Sequence, residues 1–163
     1  MVAISIFIIV MTISMNSILG IFYNNRISRA MKTVTSNLNL AMETMSKEMR
    51  YGKNYHCGSS GPPTSPQNCA TGDNFITFLS SENEQITYRF NAGAIEKQVN
   101  NGSYIALTAP EVVIDDLVFY VLGAGTTDTL QPKVIIKIKS HAGSRARTNF
   151  ILETLVSQRT IDI

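Results

Sequence analysis

No charged side chain occurs before Arg26, no proline before Pro62, and the first fifty residues hold a single glycine, Gly20. The missing prolines and glycines are the residues that break helices, and the missing charges are those that a lipid interior excludes. Cysteine is scarce as well. Cys57 and Cys69 are the only two, and the stretch between them does not have the C-x-x-C spacing of zinc or redox sites. Of the two histidines, His56 beside Cys57 suggests half of a ligand pair that no other His/Cys cluster completes, and His141 stands alone as a loop histidine. Gly58-Ser59-Ser60-Gly61 has the wrong spacing for a nucleophile elbow, and neither a Walker nor a dinucleotide-binding glycine pattern occurs. These absences leave no basis for an enzyme, a cofactor or a small-molecule substrate.

What is there begins with residues 1–23, uncharged and mostly apolar. At ~1.5 Å rise per residue such a helix crosses a ~30 Å hydrocarbon layer. Two other readings compete. A cleaved secretory signal wants a basic n-region and an A-x-A-like site, whereas the exit Ser17-Ile18-Leu19-Gly20-Ile21-Phe22-Tyr23 offers only a poor small-residue site. A buried core helix is usually shorter and seldom terminal. Thr12, Ser14, Asn16 and Ser17 interrupt the run, and such residues permit close approach and hydrogen bonding between helices in lipid.

Residues 24–52 continue the helix with a different pattern. Ile27, Met31, Val34, Leu38, Ala41, Met45 and Met49 recur with a spacing close to the helical repeat, which makes one apolar stripe for docking on a soluble domain. Lys32, Asn37, Glu43, Lys47 and Glu48 lie largely off it. The expectation is one helix of about fifty residues, roughly 75 Å long, ending at Gly52 with Arg50 and Lys53 near its negative end.

Residues 53–74 read as a loop rich in Gly, Pro, Ser and Asn that carries both cysteines. A disulfide between Cys57 and Cys69 is favoured over free thiols; it would stabilise by about 3 kcal/mol and would place this region in an oxidising compartment. From Phe75 onward the period changes to alternation, as in Ile86/Tyr88/Phe90 and Val134/Ile136/Ile138. Strands are expected near 75–80, 85–90, 94–99, 103–108, 112–122, 132–140 and 148–158, joined by turns at Asn91-Ala92-Gly93 and Asn100-Asn101-Gly102. The fold class is therefore α+β: a long N-terminal helix, half transmembrane and half amphipathic, packed on a mostly antiparallel β-sheet domain over residues 75–163.

Three further clusters carry alternatives. Asp115-Asp116 forms an acid pair, but neighbouring strand residues face opposite ways unless a bulge intervenes. Asp73, Glu82 and Glu84 could supply oxygens to calcium, against the plainer reading of solvated acids. Lys133, Lys137, Lys139, Arg145 and Arg147 concentrate positive charge without interleaved aromatics, and the net charge is only +2. A lysine-protected edge strand explains them better than nucleic acid does.

The order of these parts resembles the type IV pilin and type II secretion pseudopilin superfamily. Val2-Ala3-Ile4-Ser5-Ile6-Phe7 resembles the V-A-[IL]-x-I-[FL] core of the pilin N-terminal helix. Ile86-Thr87-Tyr88-Arg89-Phe90-Asn91, the stretch from Ala106-Leu107-Thr108 to Val118-Phe119-Tyr120, and Leu155-Val156-Ser157-Gln158-Arg159 are similar to the J-type minor pseudopilins and related minor pilins. Family members begin with a basic leader, a glycine, a phenylalanine or methionine and then a glutamate. None of these precedes Val2-Ala3-Ile4, so the resemblance places Met1 several residues inside the mature helix.

That resemblance implies assembly rather than chemistry: a subunit of a bacterial envelope filament, held in the inner membrane with its C-terminal domain outside the cytoplasm. It assigns Val2, Ile6, Ile9, Val10, Ile13 and Leu19 to packing against other pilin or pseudopilin subunits. Arg26, Arg29 and Lys32 alone would orient the chain the other way; the disulfide and the resemblance outweigh them. The alternative function is a membrane-anchored binding module, an adhesin or a DNA receptor, although nucleic acid is not an expected partner.

Overall fold

The computed structural model describes residues 2–125, 130–142 and 148–159. Helix α1 runs without interruption over Val2–Arg50, 49 residues, which is ~74 Å of rod. It ends because three groups take over its last carbonyls. The Gly52 amide donates to Met49 O at 3.1 Å, and the Tyr55 hydroxyl reaches the carbonyl oxygens of Met49 and Gly52. The Arg159 amide, after the last strand, donates to Arg50 O at 2.9 Å. Gly52 does not adopt the left-handed backbone of a usual C-terminal glycine. It is glycine because a Cβ there would lie 2.6 Å from Phe78 Cδ2 and 3.3 Å from Glu48 O.

Nine strands follow among the described residues: β1 (Lys53–Cys57), β2 (Cys69–Asp73), β3 (Phe75–Leu79), β4 (Gln85–Asn91), β5 (Ala94–Val99), β6 (Ile105–Ala106), β7 (Val113–Leu122), β8 (Lys133–Ala142) and β9 (Thr148–Ser157). The antiparallel character holds, but there are two sheets, ordered β1-β3-β4-β5-β6 and β2-β7-β8-β9. Two differences from the sequence reading stand out. The segment 53–74 is not all loop, since β1 and β2 flank its middle. These strands are short, and β2, Cys-Ala-Thr-Gly-Asp, has little β-propensity of its own; its pairing along β7 holds it extended. The strand expected near 103–108 shrinks to Ile105–Ala106.

The core lies between the C-terminal part of α1 and the two sheets. Leu38, Met45 and Met49 from the helix, Tyr55, Phe78 and Tyr88 from the first sheet, and Leu117, Phe119 and Ile136 from the second are all at most 1% exposed. Each large side chain so buried stabilises by roughly 1.5–3 kcal/mol. Met42 joins them although it lies outside the apolar stripe drawn from the sequence.

Cys57 closes β1 and Cys69 opens β2, and the two form a disulfide with Cα atoms 5.7 Å apart, within the usual range. Because β1 and β2 belong to different sheets, the bond ties the two sheets together as well as closing a loop. Replacing both cysteines by alanine is expected to cost about 3 kcal/mol, read as a drop in the urea midpoint with little change in slope.

The β4–β5 turn puts Ala92 at φ 47° and Gly93 at φ 80°. Both central residues are left-handed, as a two-residue type I′ hairpin requires, and alanine tolerates this poorly. Ala92→Asn is expected to stabilise by about 0.5–1 kcal/mol in thermal or urea unfolding, and a loss of stability would contradict this account of the turn.

Candidate functional site

The largest unsatisfied surface is the N-terminal half of α1. No residue of its most apolar window is buried, and by length and composition this helix can cross a membrane. The residues singled out for lateral packing are all exposed: Val2 74%, Ile6 56%, Ile9 57%, Val10 56%, Ile13 65% and Leu19 59%. At 100° per residue, Val2, Ile6, Ile9 and Ile13 fall within an arc of about 60°, with Val10 beside it and Leu19 on another face. Apolar residues also fill the other faces, including Phe7, Ile8, Met11, Met15, Ile18 and Phe22.

The polar residues in this half divide into two groups. Thr12 Oγ1 donates to the carbonyls of Ile8 and Ile9 at 3.0 and 2.8 Å, and Ser14 Oγ donates to Val10 O at 2.8 Å. Those hydroxyls are satisfied within the helix and carry no desolvation penalty into an apolar surround. The Asn16 amide is exposed and has no hydrogen-bond partner among the described residues.

Further along, the stripe reaches the domain gradually. Ile27 and Met31 are half-buried, and Val34, Leu38, Ala41, Met45 and Met49 are buried. Glu48 fastens this part to the first sheet. One carboxylate oxygen accepts from Tyr88 Oη at 2.6 Å and the other takes Lys97 Nζ at 2.6 Å. Glu48, which the sequence pattern placed largely off the apolar stripe, thus ties the helix to the sheet. Burial pushes the Tyr88 phenol far above its ordinary range, and its hydrogen bond to Glu48 and that carboxylate's charge push it further. On the same sheet the Arg89 guanidinium, 2.7 Å from Glu96, holds that carboxyl below the usual range, helped by Asn91.

The remaining polar candidates resolve into structural contacts. A bulge between Ile114 and Asp116 turns both Asp115 and Asp116 outward, while Ile114 and Leu117 point into the core. The carboxylates then take separate partners: Asp115 lies 2.8 Å from His141 Nδ1, and Asp116 lies 3.6 Å from Lys139 Nζ. His141 is a β8 residue rather than a loop histidine. Ser140 beside it is buried, on the opposite face of the strand from outward-facing His141, so the two do not combine as nucleophile and base. His56 is buried beneath the 58–66 loop, its ring nitrogens 2.7 Å from Ser65 O and 3.1 Å from Ser60 O. Cys57 beside it is in the disulfide, so the two are not a ligand pair.

Asp73 accepts from the Phe75 amide, while Glu82 and Glu84 sit in the β3–β4 turn around Ser80. No group of three or more potential metal ligands occurs among the described residues. Lys137 stands directly opposite Glu153 and Lys139 has Asp116, while Lys133 lies between Leu122 and Ser157, so two of the three described lysines of the basic cluster stand against acid. Arg145 and Arg147 lie outside the described residues.

Comparison of this chain with protein-family models, curated proteins and solved structures finds no match. In general shape, one long apolar N-terminal helix on an antiparallel β domain, the molecule is pilin-like.

Because the folded-state pKa of Tyr88 is raised, its contribution is complete below the unfolded value near 10 and is lost as pH rises beyond it. Wild-type stability is expected to fall by up to about 1.4 kcal/mol per pH unit above pH ~10 from this group, and Tyr88→Phe is expected to remove that component. Urea midpoints for the two proteins across this range check it; parallel pH profiles would refute it.

Proposed function

We propose that this chain is a structural subunit of a bacterial envelope filament, a minor pilin or a type II secretion pseudopilin, and that its work is assembly rather than catalysis. The observation that carries this reading is the continuity of α1. A single rod leaves the large apolar side chains of its first half exposed and buries the stretch from Val34 to Met49 in a two-sheet domain, with no break in the helix between them. A simple tether needs no such rigidity. In a subunit that must leave the membrane and stack, a stiff joint transmits the position of the domain to the helix and of the helix to its neighbours.

The apolar half has two compatible surroundings. In lipid its side chains contact acyl tails; in a filament the same side chains pack on neighbouring helices, which offsets removal from the bilayer. The arc of Val2, Ile6, Ile9 and Ile13 is the surface we assign to that packing. Asn16 supports helix neighbours over lipid alone, because an unpaired amide in hydrocarbon is costly and a facing helix can satisfy it. The disulfide is compatible with a domain outside the cytoplasm. A DNA-receptor role has less support, since acids stand among the described lysines of the second sheet.

Cysteines introduced at Ile6 and Ile13 are expected to crosslink to the N-terminal helices of other subunits in cells that assemble the filament. Asn16→Leu is expected to weaken that association by roughly 5- to 30-fold, the equivalent of 1–2 kcal/mol. Reaction with lipid probes alone, with no protein adduct at either position, would overturn the filament reading and leave only an anchor.

A further inference from the structure

Arg26, Arg29 and Lys32 are all exposed, and none takes part in a salt bridge among the described residues. Lys47, Arg50, Lys53, Lys133 and Arg159 likewise join none of these bridges; what sets the first three cations apart is their distance along the helix from any acid. The first acidic residue of the chain is Glu43, ~16 Å along the helix from Lys32. Elsewhere Arg89, Lys97 and Lys139 each stand against a carboxylate.

The three cations are also arranged on one side. At 100° per residue they occupy an arc of about 120°, and its centre lies roughly 165° from the centre of the stripe that seats on the sheets. The domain therefore covers one side of the helix, and the cations face away from it. Their height is equally specific. Arg26, Arg29 and Lys32 lie ~4.5, ~9 and ~13.5 Å beyond Tyr23, the last residue of the apolar run. The first two fall at headgroup level next to a ~30 Å hydrocarbon core, and a lysine side chain can reach back to that level along its methylene stem.

We propose that Arg26, Arg29 and Lys32 form a collar that binds the phosphates of anionic phospholipids at the membrane surface, on the side of the helix opposite the β domain. The inference rests on reading residues 2–23 as a membrane span. Unopposed cations one or two turns past a span sit within the ~8 Å Debye length of the bilayer surface, where each contributes about 1 kcal/mol of attraction to anionic lipid, a factor of roughly five. Bidentate contact of arginine with phosphate adds directional hydrogen bonding at positions 26 and 29. The collar sets the depth and roll of the helix in the bilayer. It also raises the barrier to withdrawing the subunit, so release into an assembly has to break phosphate contacts as well as lipid-tail contacts.

The test uses the full chain reconstituted in phosphatidylcholine vesicles, comparing spin-labelled phosphatidylglycerol with spin-labelled phosphatidylcholine at the protein boundary. The expected result is a several-fold preference for phosphatidylglycerol. It should fall toward unity in the triple variant Arg26→Gln/Arg29→Gln/Lys32→Gln and in high salt, and persist in Lys47→Gln/Arg50→Gln, whose cations stand far from the bilayer. Equal association of the two lipids with the wild-type chain, or an unchanged preference in the triple variant, would overturn the collar. So would crosslinks from positions 26, 29 and 32 to acidic side chains of another protein together with a lipid preference of unity. Carbonate extraction separates the two levels: a chain washed from the vesicles fails as a membrane span, whereas one that stays inserted without lipid preference fails only here.

Discussion

The burial of Leu38, Met45 and Met49 against the β domain is the contact on which the rest of this molecule depends. It occupies only the last part of the helix, from Val34 to Met49, ~24 Å of rod, and leaves the preceding ~45 Å with little or no cover from the domain. Packed interiors are dense and deform little, so fixing one end of a continuous helix fixes the direction of the whole. Carbonyl caps from Tyr55 and Arg159 and the Glu48 contacts to Tyr88 and Lys97 hold that end from several directions. The exposed apolar half is thus a lever whose orientation the domain dictates.

Within the domain, polar groups that could have signalled chemistry are used to hold geometry. His56 pins the 58–66 loop, Asp115 and Asp116 face separate cations across a bulge, and the disulfide joins strands of two different sheets. Charge on the first sheet is treated alike, with Arg89 held by Glu96 and stacked on Tyr104 at 3.4 Å from the ring centroid. Against that background the uncompensated arginines and lysine beyond the apolar run mark a different kind of surface, one whose counter-charge belongs outside the chain.

Much of this was legible from local patterns. The helix and its two environments follow from the absence of breakers and charges and from the stripe ending at Met49, and the main hairpins follow from alternation and from Asn/Gly turns. What escaped did so for identifiable reasons. β1 and β2 carry Lys, Asn, Gly and Asp, which have little β-propensity of their own, and they are strands because β3 and β7 offer them hydrogen bonds. Met42 is buried as well, beside Met49 on the helical wheel, although its spacing did not put it in the stripe. The bulge at Asp115 is a register irregularity between Ile114 and Asp116, and such a local shift has no signature in composition.

Properties that depend on near neighbours along the chain were determined by the sequence itself: helical continuity, the apolar run, the amphipathic stripe and the turn residues. The helical repeat and the strand repeat convert residue order directly into faces. The tertiary structure alone decided the division into two sheets, the bridging of those sheets by Cys57 and Cys69, and the partners of Glu48, His56 and His141. These depend on which distant segments meet, and that choice is made by the summed burial of a whole core, which no local window of residues contains.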